Sequence, residues 1–138
     1  MELNATYDFL MQVRRKEIVI RRKEALRDEL VACLGPRGAR FDQNGVRHSG
    51  GNMMEQVMVR VADLDTEIEQ LKREKASLAI VISDAIEKLE DENEKTVLTE
   101  FYIARAPMTV VANAINYSTR RAYDFRRAGV AKLGEVLG

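Results

Sequence analysis

The chain has 138 residues, of which 46% are hydrophobic and 32% charged, and its 22 basic side chains balance its 22 acidic ones. A chain of this length forms one domain, or one small module joined to an extended element, and this composition excludes a wholly disordered chain. It contains no run of about 18 apolar residues, the length that a membrane-spanning helix needs. The N-terminus, MELNATYDFL, lacks a basic start followed by an apolar core, so we expect a cytoplasmic protein without membrane contact.

The cysteine and histidine content argues against an enzyme or a metalloprotein. Cys33 and His48 are the only residues of their types, so neither an internal disulfide nor a zinc cluster can form. A hydrolase or nuclease needs a carboxylate cluster, a nucleophile beside a base, or a metal, and Cys33 and His48 lie in different predicted elements. We therefore expect no catalytic residues, no metal and no cofactor, and we expect Cys33 to pack in a helical core.

Charge is unevenly distributed along the chain. Residues 1–53 carry 10 basic and 7 acidic side chains, residues 54–95 carry 6 and 12, and residues 96–138 carry 6 and 3. The two ends are therefore basic and the middle is acidic. A nucleic-acid-binding surface needs a local excess of positive charge, so the overall balance is compatible with one.

The first segment predicts one long helix from Asn4 to Leu34, because it has no internal glycine or proline and its apolar residues recur at helical spacing. The apolar positions are Tyr7, Leu10, Met11, Ile18, Ala25, Leu26, Leu30 and Cys33. The motif RRKE occurs at 14–17 and again at 21–24, two turns further along the same side. These clusters are either a phosphate-contacting stripe or a solvated face that pairs with the acidic second helix. Charge runs on long helices favour the second interpretation.

A glycine-rich loop is predicted at 35–52, which holds five of the chain's eight glycines. The next segment has the clearest periodicity in the chain, an a/d heptad pattern with steps of three and four residues. Its positions are Met54, Val57, Val61, Leu64, Ile68, Leu71, Lys75, Leu78, Ile82, Ala85 and Leu89. Together with the first helix this pattern predicts an antiparallel helical hairpin or coiled-coil stalk over residues 1–94. The sequence leaves open whether the seam lies within one chain or in a homodimer.

Residues 95–138 predict a C-terminal module of three helices, because the apolar spacing changes after EDENEK at 90–95, which has no large apolar residue. Pro107 suits the first turn of a helix, Asn116 tolerates a left-handed backbone, and Ser118 can cap a helix that begins at Thr119. The residues expected to face inward are Val97, Leu98, Phe101, Tyr102, Val111, Ala112, Ile115, Ala122, Phe125, Gly129, Val130 and Leu133.

The last two helices form a helix-turn-helix pattern, in which the second helix reads DNA. On that helix Arg120 and Arg121 suit the major groove, where arginine binds guanine O6 and N7. Arg126, Arg127 and Lys132 suit phosphates, and Tyr123 either contacts DNA or packs against the preceding helix. The predicted DNA-binding residues are Ser118, Thr119, Arg120, Arg121, Tyr123, Asp124, Arg126, Arg127 and Lys132.

Residues 95–133 resemble region 4 of sigma-70-type RNA polymerase factors. They resemble more closely small prophage regulators built on that module, including the autolysin-regulator type of late transcription activators. The matching residues are Leu98, Tyr102, Val111, Ala112, Ile115, Tyr117, Ser118, Arg120, Tyr123, Gly129, Val130 and Leu133. The glycine that is common before the first helix of the motif is Arg105 here, and the acidic residues common on that helix are Thr109 and Val110.

The sequence therefore predicts an all-α phage or prophage transcription regulator that binds double-stranded DNA and has no enzymatic activity. The resemblance implies promoter-proximal DNA, with RNA polymerase as a further partner. Two alternatives stay open. One is a phage DNA-packaging protein of the small-terminase type, which combines helix-turn-helix and coiled-coil parts in a ring. The other is a coiled-coil adaptor whose C-terminal bundle binds only protein.

Overall fold

The computed structural model of the chain describes residues 1–35 and 47–138, with the side chains of the second range described from residue 52. Within these ranges every regular element is helical, which confirms the all-α prediction. Five α-helices and one π-helical turn follow one another in these ranges. They are α1 (Leu3–Cys33), α2 (Arg47–Ile86), α3 (Glu92–Leu98), the π turn (Thr99–Ile103), α4 (Met108–Ile115) and α5 (Thr119–Leu137).

The loop predicted at 35–52 falls largely outside the described residues, since positions 36–46 are not among them. Its end was placed too late, because α2 already begins at Arg47. Two glycines, Gly50 and Gly51, lie near the start of this helix. Glycine lowers helix stability by about 1 kcal/mol relative to alanine, but each added residue also gains a backbone hydrogen bond, so a glycine pair does not by itself end a helix.

The described chain divides into two compact units. The smaller unit comprises residues 17–73 and contains parts of α1 and α2. The larger unit comprises residues 1–16 and 74–138, and it contains α3, the π turn, α4 and α5 together with the remaining parts of α1 and α2.

In the smaller unit α1 and α2 run antiparallel and pack through an apolar cluster. The cluster consists of Ile20, Leu64 and Ile68, with Leu30 and Leu71 packed against it. Ion pairs flank it: Lys23 Nζ lies 2.9 Å from Glu67 Oε2, and Lys72 Nζ lies 3.3 Å from Glu24 Oε2. The hydrogen bond and charge of Lys23 lower the pKa of the Glu67 carboxyl. The basic clusters of α1 were interpreted either as a phosphate-contacting stripe or as a face that pairs with the acidic second helix. Lys23 pairs with the acidic helix.

The positions of the predicted heptad pattern face inward, whereas the predicted inner face of α1 is partly wrong. All eleven heptad positions, from Met54 to Leu89, are buried or half-buried. On α1, Ile18 is 63% exposed and Cys33 is exposed, while Val13 and Ile20 are buried. Residues 13 and 20 are seven apart and share a face, whereas position 18 points about 160° away from position 20. The list of apolar residues on α1 therefore mixed two faces of the helix.

Two apolar clusters form the core of the larger unit. The first joins α1, α2, α3, the π turn and α5 through Leu10, Val13, Ile82, Ala85, Ile86, Leu89, Leu98, Tyr102, Val130 and Leu133. The second lies among α3, α4 and α5 and consists of Val97, Met108, Val111, Ala112, Ile115 and Ala122. Residues that were predicted to face inward in the C-terminal segment thus fill both clusters. The second cluster contacts α5 at Ala122, near its start, and the first contacts it further along, at Val130 and Leu133.

The segment EDENEK, after which the apolar spacing of the sequence changes, contains the start of α3. Asp91 is the N-cap, since its Oδ1 accepts a hydrogen bond of 3.0 Å from the backbone N–H of Glu94. Glu92 and Glu94 lie in the first turn, where negative charge interacts favourably with the helix dipole. A sequence without large apolar residues can therefore begin a helix when an aspartate stands at the cap position.

The chain leaves α3 through the π turn and a strained residue. The N–H of Ala104 donates to the carbonyl of Thr99 at 3.0 Å, the spacing of five residues that defines a π-helix. Arg105 then has a φ of 60°, in the left-handed region that L-residues with a side chain seldom adopt. This turn redirects the chain before α4 begins and brings Phe101 and Tyr102 against α5.

Candidate nucleic-acid interface

The turn between α4 and α5 has the geometry predicted from its sequence. Asn116 ends α4 in the left-handed conformation, with φ 61° and ψ 39°. Ser118 caps α5, because its Oγ accepts a hydrogen bond of 3.1 Å from the backbone N–H of Arg121. The N–H of Tyr117 donates to the carbonyl of Ala112 at 3.1 Å and closes the end of α4. Local polar groups therefore fix where α5 begins.

The inner face of α5 anchors the helix along its length. Ala122 packs in the cluster with α4, and Val130 and Leu133 pack in the cluster with α1 and α2. Between them Gly129 is buried against α3. A Cβ placed on Gly129 would lie 3.2 Å from Leu98 Cδ1 and 3.4 Å from Glu94 Cβ, so the glycine permits a close approach of the two helices. Because this face of α5 is buried, the opposite face of the helix is turned toward the solvent.

The predicted DNA-binding residues fall into an exposed set and a set engaged inside the unit. The exposed residues are Ser118, Arg120, Arg121, Tyr123, Arg127 and Lys132, while Thr119, Asp124 and Arg126 are half-buried. The exposed residues of the first two turns of α5 lie next to one another at the capped end of the helix. They provide two guanidinium groups and one phenol on a short stretch of surface.

Two of the exposed arginines have their side chains oriented by neighbours on the same surface. Arg121 lies with its Cζ 5.0 Å from the centroid of the Phe125 ring, and this ring meets the ring of Tyr117 edge to face at 5.1 Å. Arg127 forms an ion pair with Asp124, one turn earlier on the helix, and its side chain is 64% exposed. Both guanidinium groups stay accessible at the surface, with fewer side-chain conformations than an unsupported arginine has.

Arg126 differs from its sequence neighbours, because it points into a group of aromatic rings. Its Nε donates a hydrogen bond of 3.0 Å to the hydroxyl of Tyr102. Its Cζ lies 4.4 Å from the ring centroid of Phe101 and 6.0 Å from those of Tyr7 and Tyr123. Arg126 therefore links α5 to the π turn and to α1, a role that the sequence prediction of a phosphate contact did not include.

Lys132 also has a partner inside the unit. Its Nζ lies 2.8 Å from Oε2 of Glu94, whose side chain is 5% exposed. The hydrogen bond to this carboxylate raises the pKa of the Lys132 ammonium group. In this arrangement the lysine neutralises a buried charge on α3, a contact that the sequence prediction of a phosphate contact did not include.

Sequence reasoning missed Arg14, which interacts with the π turn from α1. Its Nε donates to the carbonyl of Phe101 at 2.9 Å, and its Cζ lies 3.9 Å from the Phe101 ring centroid. Burial and the nearby positive charge of Arg126 lower the pKa of the Arg14 guanidinium. One signal in the sequence was available: Arg14 follows Tyr7 by seven residues and Leu10 by four, so it shares their inward face.

The described ranges contain neither a metal-ligating cluster nor a membrane span. In residues 1–35 and 52–138, three or more histidine, cysteine, aspartate or glutamate side chains nowhere gather in a way that could hold a metal ion. None of the described helices combines the length and the apolar character that crossing a membrane requires. Comparisons with models of protein families, with curated proteins and with solved structures gave no match for this chain.

Proposed function

We propose that the chain is a DNA-binding transcription regulator of a phage or prophage, and that it contacts duplex DNA with the exposed face of α5. The observation that carries this proposal is the placement of Arg120, Arg121 and Tyr123 on the first two turns of a capped helix whose opposite face is buried. Arginines at this end of a recognition helix can reach guanine edges in the major groove. In this proposal α4, the turn and α5 act as a helix-turn-helix module, and α1 and α2 act as its stalk.

The backbone at Arg105 supports the proposed relation to sigma region 4. The resemblance identified a glycine at this position in the related proteins, and Arg105 has a φ of 60°. A left-handed backbone is the conformation for which glycine is favoured over every other residue. A chain that keeps this conformation without the glycine fits a diverged member of the same fold. The resemblance to sigma region 4 implies promoter-proximal DNA and RNA polymerase as the partners of such a regulator.

Binding to duplex DNA tests the proposal directly. A fluorescently labelled 30-base-pair duplex of mixed sequence is titrated with the protein at several salt concentrations from 50 to 300 mM. We expect binding that weakens steeply with salt, because neutralised phosphates release counterions. The absence of binding at 50 mM salt would contradict the proposal and favour the protein-adaptor alternative.

Variants identify the DNA-contacting face. Arg120→Ala and Arg121→Ala should each weaken binding to a selected genomic fragment by about 5-fold to 150-fold, as expected for about 1–3 kcal/mol per lost base contact. The matched control is Arg22→Ala, since Arg22 is an exposed arginine on α1. Equal losses for Arg22→Ala and Arg120→Ala would place the DNA on another surface. The mass of the free protein separates the regulator from a packaging ring, which requires an assembly of many copies.

A further inference from the structure

Two arginines from distant parts of the chain share one aromatic ring in the larger unit. The Cζ atoms of Arg14 and Arg126 lie 3.9 Å and 4.4 Å from the centroid of the Phe101 ring, so the two positive charges are within about 8 Å of each other. Both side chains are half-buried, and Tyr123 on the exposed face of α5 is a neighbour of Arg126. The pair thus lies beside the surface that we propose for DNA.

No carboxylate of the described residues forms an ion pair with Arg14 or Arg126. Their hydrogen bonds go to neutral groups, namely the carbonyls of Phe101 and Ala106 and the hydroxyl of Tyr102. Two like charges that are partly withdrawn from water repel each other, so the arrangement is less stable than it would be with an anion beside them.

Each guanidinium group also keeps unused hydrogen-bond donors. Arginine has five N–H donors in a planar fork. Within the described part of the chain, Arg126 donates through Nε alone, and Arg14 donates through Nε and Nη2. The remaining donors are those that arginine uses for two-pronged recognition of phosphate. The site therefore combines excess positive charge, free donors and partial exposure.

We propose that Arg14 and Arg126 form a binding site for a phosphate oxyanion, and that the ligand is a phosphodiester of the DNA backbone adjacent to Tyr123. This assignment rests on the proposed DNA-binding function. It gives α1 a direct part in DNA binding and makes Phe101 the ring that keeps the two guanidinium groups in place. The cation–π contacts orient the donors before the ligand arrives, which lowers the entropy lost on binding.

The first experiment uses inorganic phosphate as the probe and does not depend on DNA. The melting temperature is measured in sodium phosphate and in sodium chloride of equal ionic strength, for the wild type, Arg14→Gln, Arg126→Gln and the control Arg22→Gln. We expect phosphate to raise the melting temperature of the wild type and of Arg22→Gln by about 2 °C or more, since a ligand that binds only the folded state stabilises it. The shift should disappear in Arg14→Gln and Arg126→Gln. An equal shift in all four proteins, or none in the wild type, overturns the site.

The second experiment measures DNA binding by the same proteins. Loss of one phosphate contact should lower the slope of log K against log salt by about 0.9 and weaken binding to all duplex sequences alike. If the wild type binds DNA and both glutamine variants keep its affinity and salt slope, the phosphate assignment is wrong while the proposed function stands. If phosphate stabilises the wild type but no duplex binds at 50 mM salt, the DNA-binding function and the phosphodiester assignment both fail.

Loss of folding in the variants is covered by two further measurements. Far-ultraviolet circular dichroism of each variant shows whether the helices persist. Should Arg126→Gln unfold, the arginine side-chain N–H resonances of the wild type are followed by NMR during a phosphate titration. Movement of the Arg14 and Arg126 resonances at phosphate concentrations that leave Arg22 unmoved supports the site. Uniform movement of all arginine resonances overturns it.

Discussion

Lys132 on α5 holds the buried carboxylate of Glu94 on α3 at 2.8 Å. The two residues are 38 positions apart in the chain, and Glu94 also occupies the first turn of its helix. Glu94 Oε1 has no hydrogen-bond partner among the described residues. The negative charge of this buried carboxylate is therefore stabilised by the contact between Oε2 and Lys132. A buried charge that loses its partner is strongly unfavourable. The ion pair thus holds α5 against α3 near the C-terminal end of α5, far from the N-cap residue Ser118.

Replacement of Lys132 tests this relationship. We expect Lys132→Met to lower the melting temperature clearly, because it leaves Glu94 buried without a counter-charge, whereas Arg127→Met should leave it almost unchanged. Thermal melts followed by circular dichroism provide the comparison. The double variant Lys132→Met with Glu94→Gln should recover part of the loss. A Lys132→Met protein as stable as the wild type would show that the ion pair is dispensable.

The hydroxyl of Tyr102 makes a measurable contribution to stability at neutral pH. Tyr102→Phe removes the acceptor for Arg126 Nε and leaves the buried ring in place. We expect the free energy of unfolding to fall by about 1 kcal/mol, the usual net value of one hydrogen bond. Urea denaturation at pH 7 measures this difference. Tyr123→Phe, on the exposed side of Arg126, is the matched control and should change the free energy much less.

Tyr102 should also make stability fall at alkaline pH. Burial raises its pKa above the ordinary value of 10.0, and the hydrogen bond from Arg126 opposes this only in part. The folded state thus keeps the phenol proton where the unfolded chain has already lost it. The contribution is complete below pH 10 and declines as the pH rises from there through the folded pKa, by up to about 1.4 kcal/mol per pH unit. Denaturation curves of Tyr102→Phe should show a shallower decline above pH 10; identical slopes would contradict the assignment.

The contact at Gly129 predicts a dependence on side-chain size. Gly129→Leu should lower the free energy of unfolding by about 1–3 kcal/mol, because its side chain would overlap Leu98 and separate α5 from α3. Gly129→Ala should be much milder, since the gain in helix propensity of about 1 kcal/mol offsets the crowding of one methyl group. Equilibrium denaturation of both variants checks the order. Equal stability of the two would mean that the helices are not in close contact there.

Two variants at Ser118 distinguish its effect on the stability of α5 from its proposed contact with DNA. Ser118→Ala should lower the free energy of unfolding by about 1 kcal/mol through loss of the cap. Ser118→Asp keeps a good cap and should be as stable as the wild type, but its negative charge at the proposed interface should weaken duplex binding. Denaturation and DNA titration of the same preparations test both statements. Unchanged DNA binding by Ser118→Asp would exclude the start of α5 from the interface.

The features predicted correctly from the sequence depend on neighbours within one helical turn or on a repeated spacing. The heptad positions of α2 follow from periodicity alone, and the roles of Asn116 and Ser118 follow from the backbone and hydrogen-bonding preferences of these two residue types. A sequence shows such features directly, because the groups that cause them are adjacent in the chain.

The features missed depend on contacts between distant segments. Arg14 and Phe101 are 87 residues apart, and nothing in either local sequence indicates that they meet. The buried position of Glu94 depends equally on Lys132 from another helix. On α1, apolar residues occur on more than one face, so their spacing did not select the buried one. Charged residues were therefore assigned to DNA phosphates or to the solvent where the fold uses them inside.

The π turn at Thr99–Ile103 gives this segment an unusual constraint on length. A π turn holds one residue more than the α-helical hydrogen-bond spacing, and it is equivalent to an α-helix with one residue inserted. Deleting one residue would restore α-helical bonding and rotate α3 by about 100° relative to the segment after the turn. Phe101 and Tyr102 would then no longer both meet Arg126. Among related chains, this stretch should accept substitutions more readily than a change in the number of its residues.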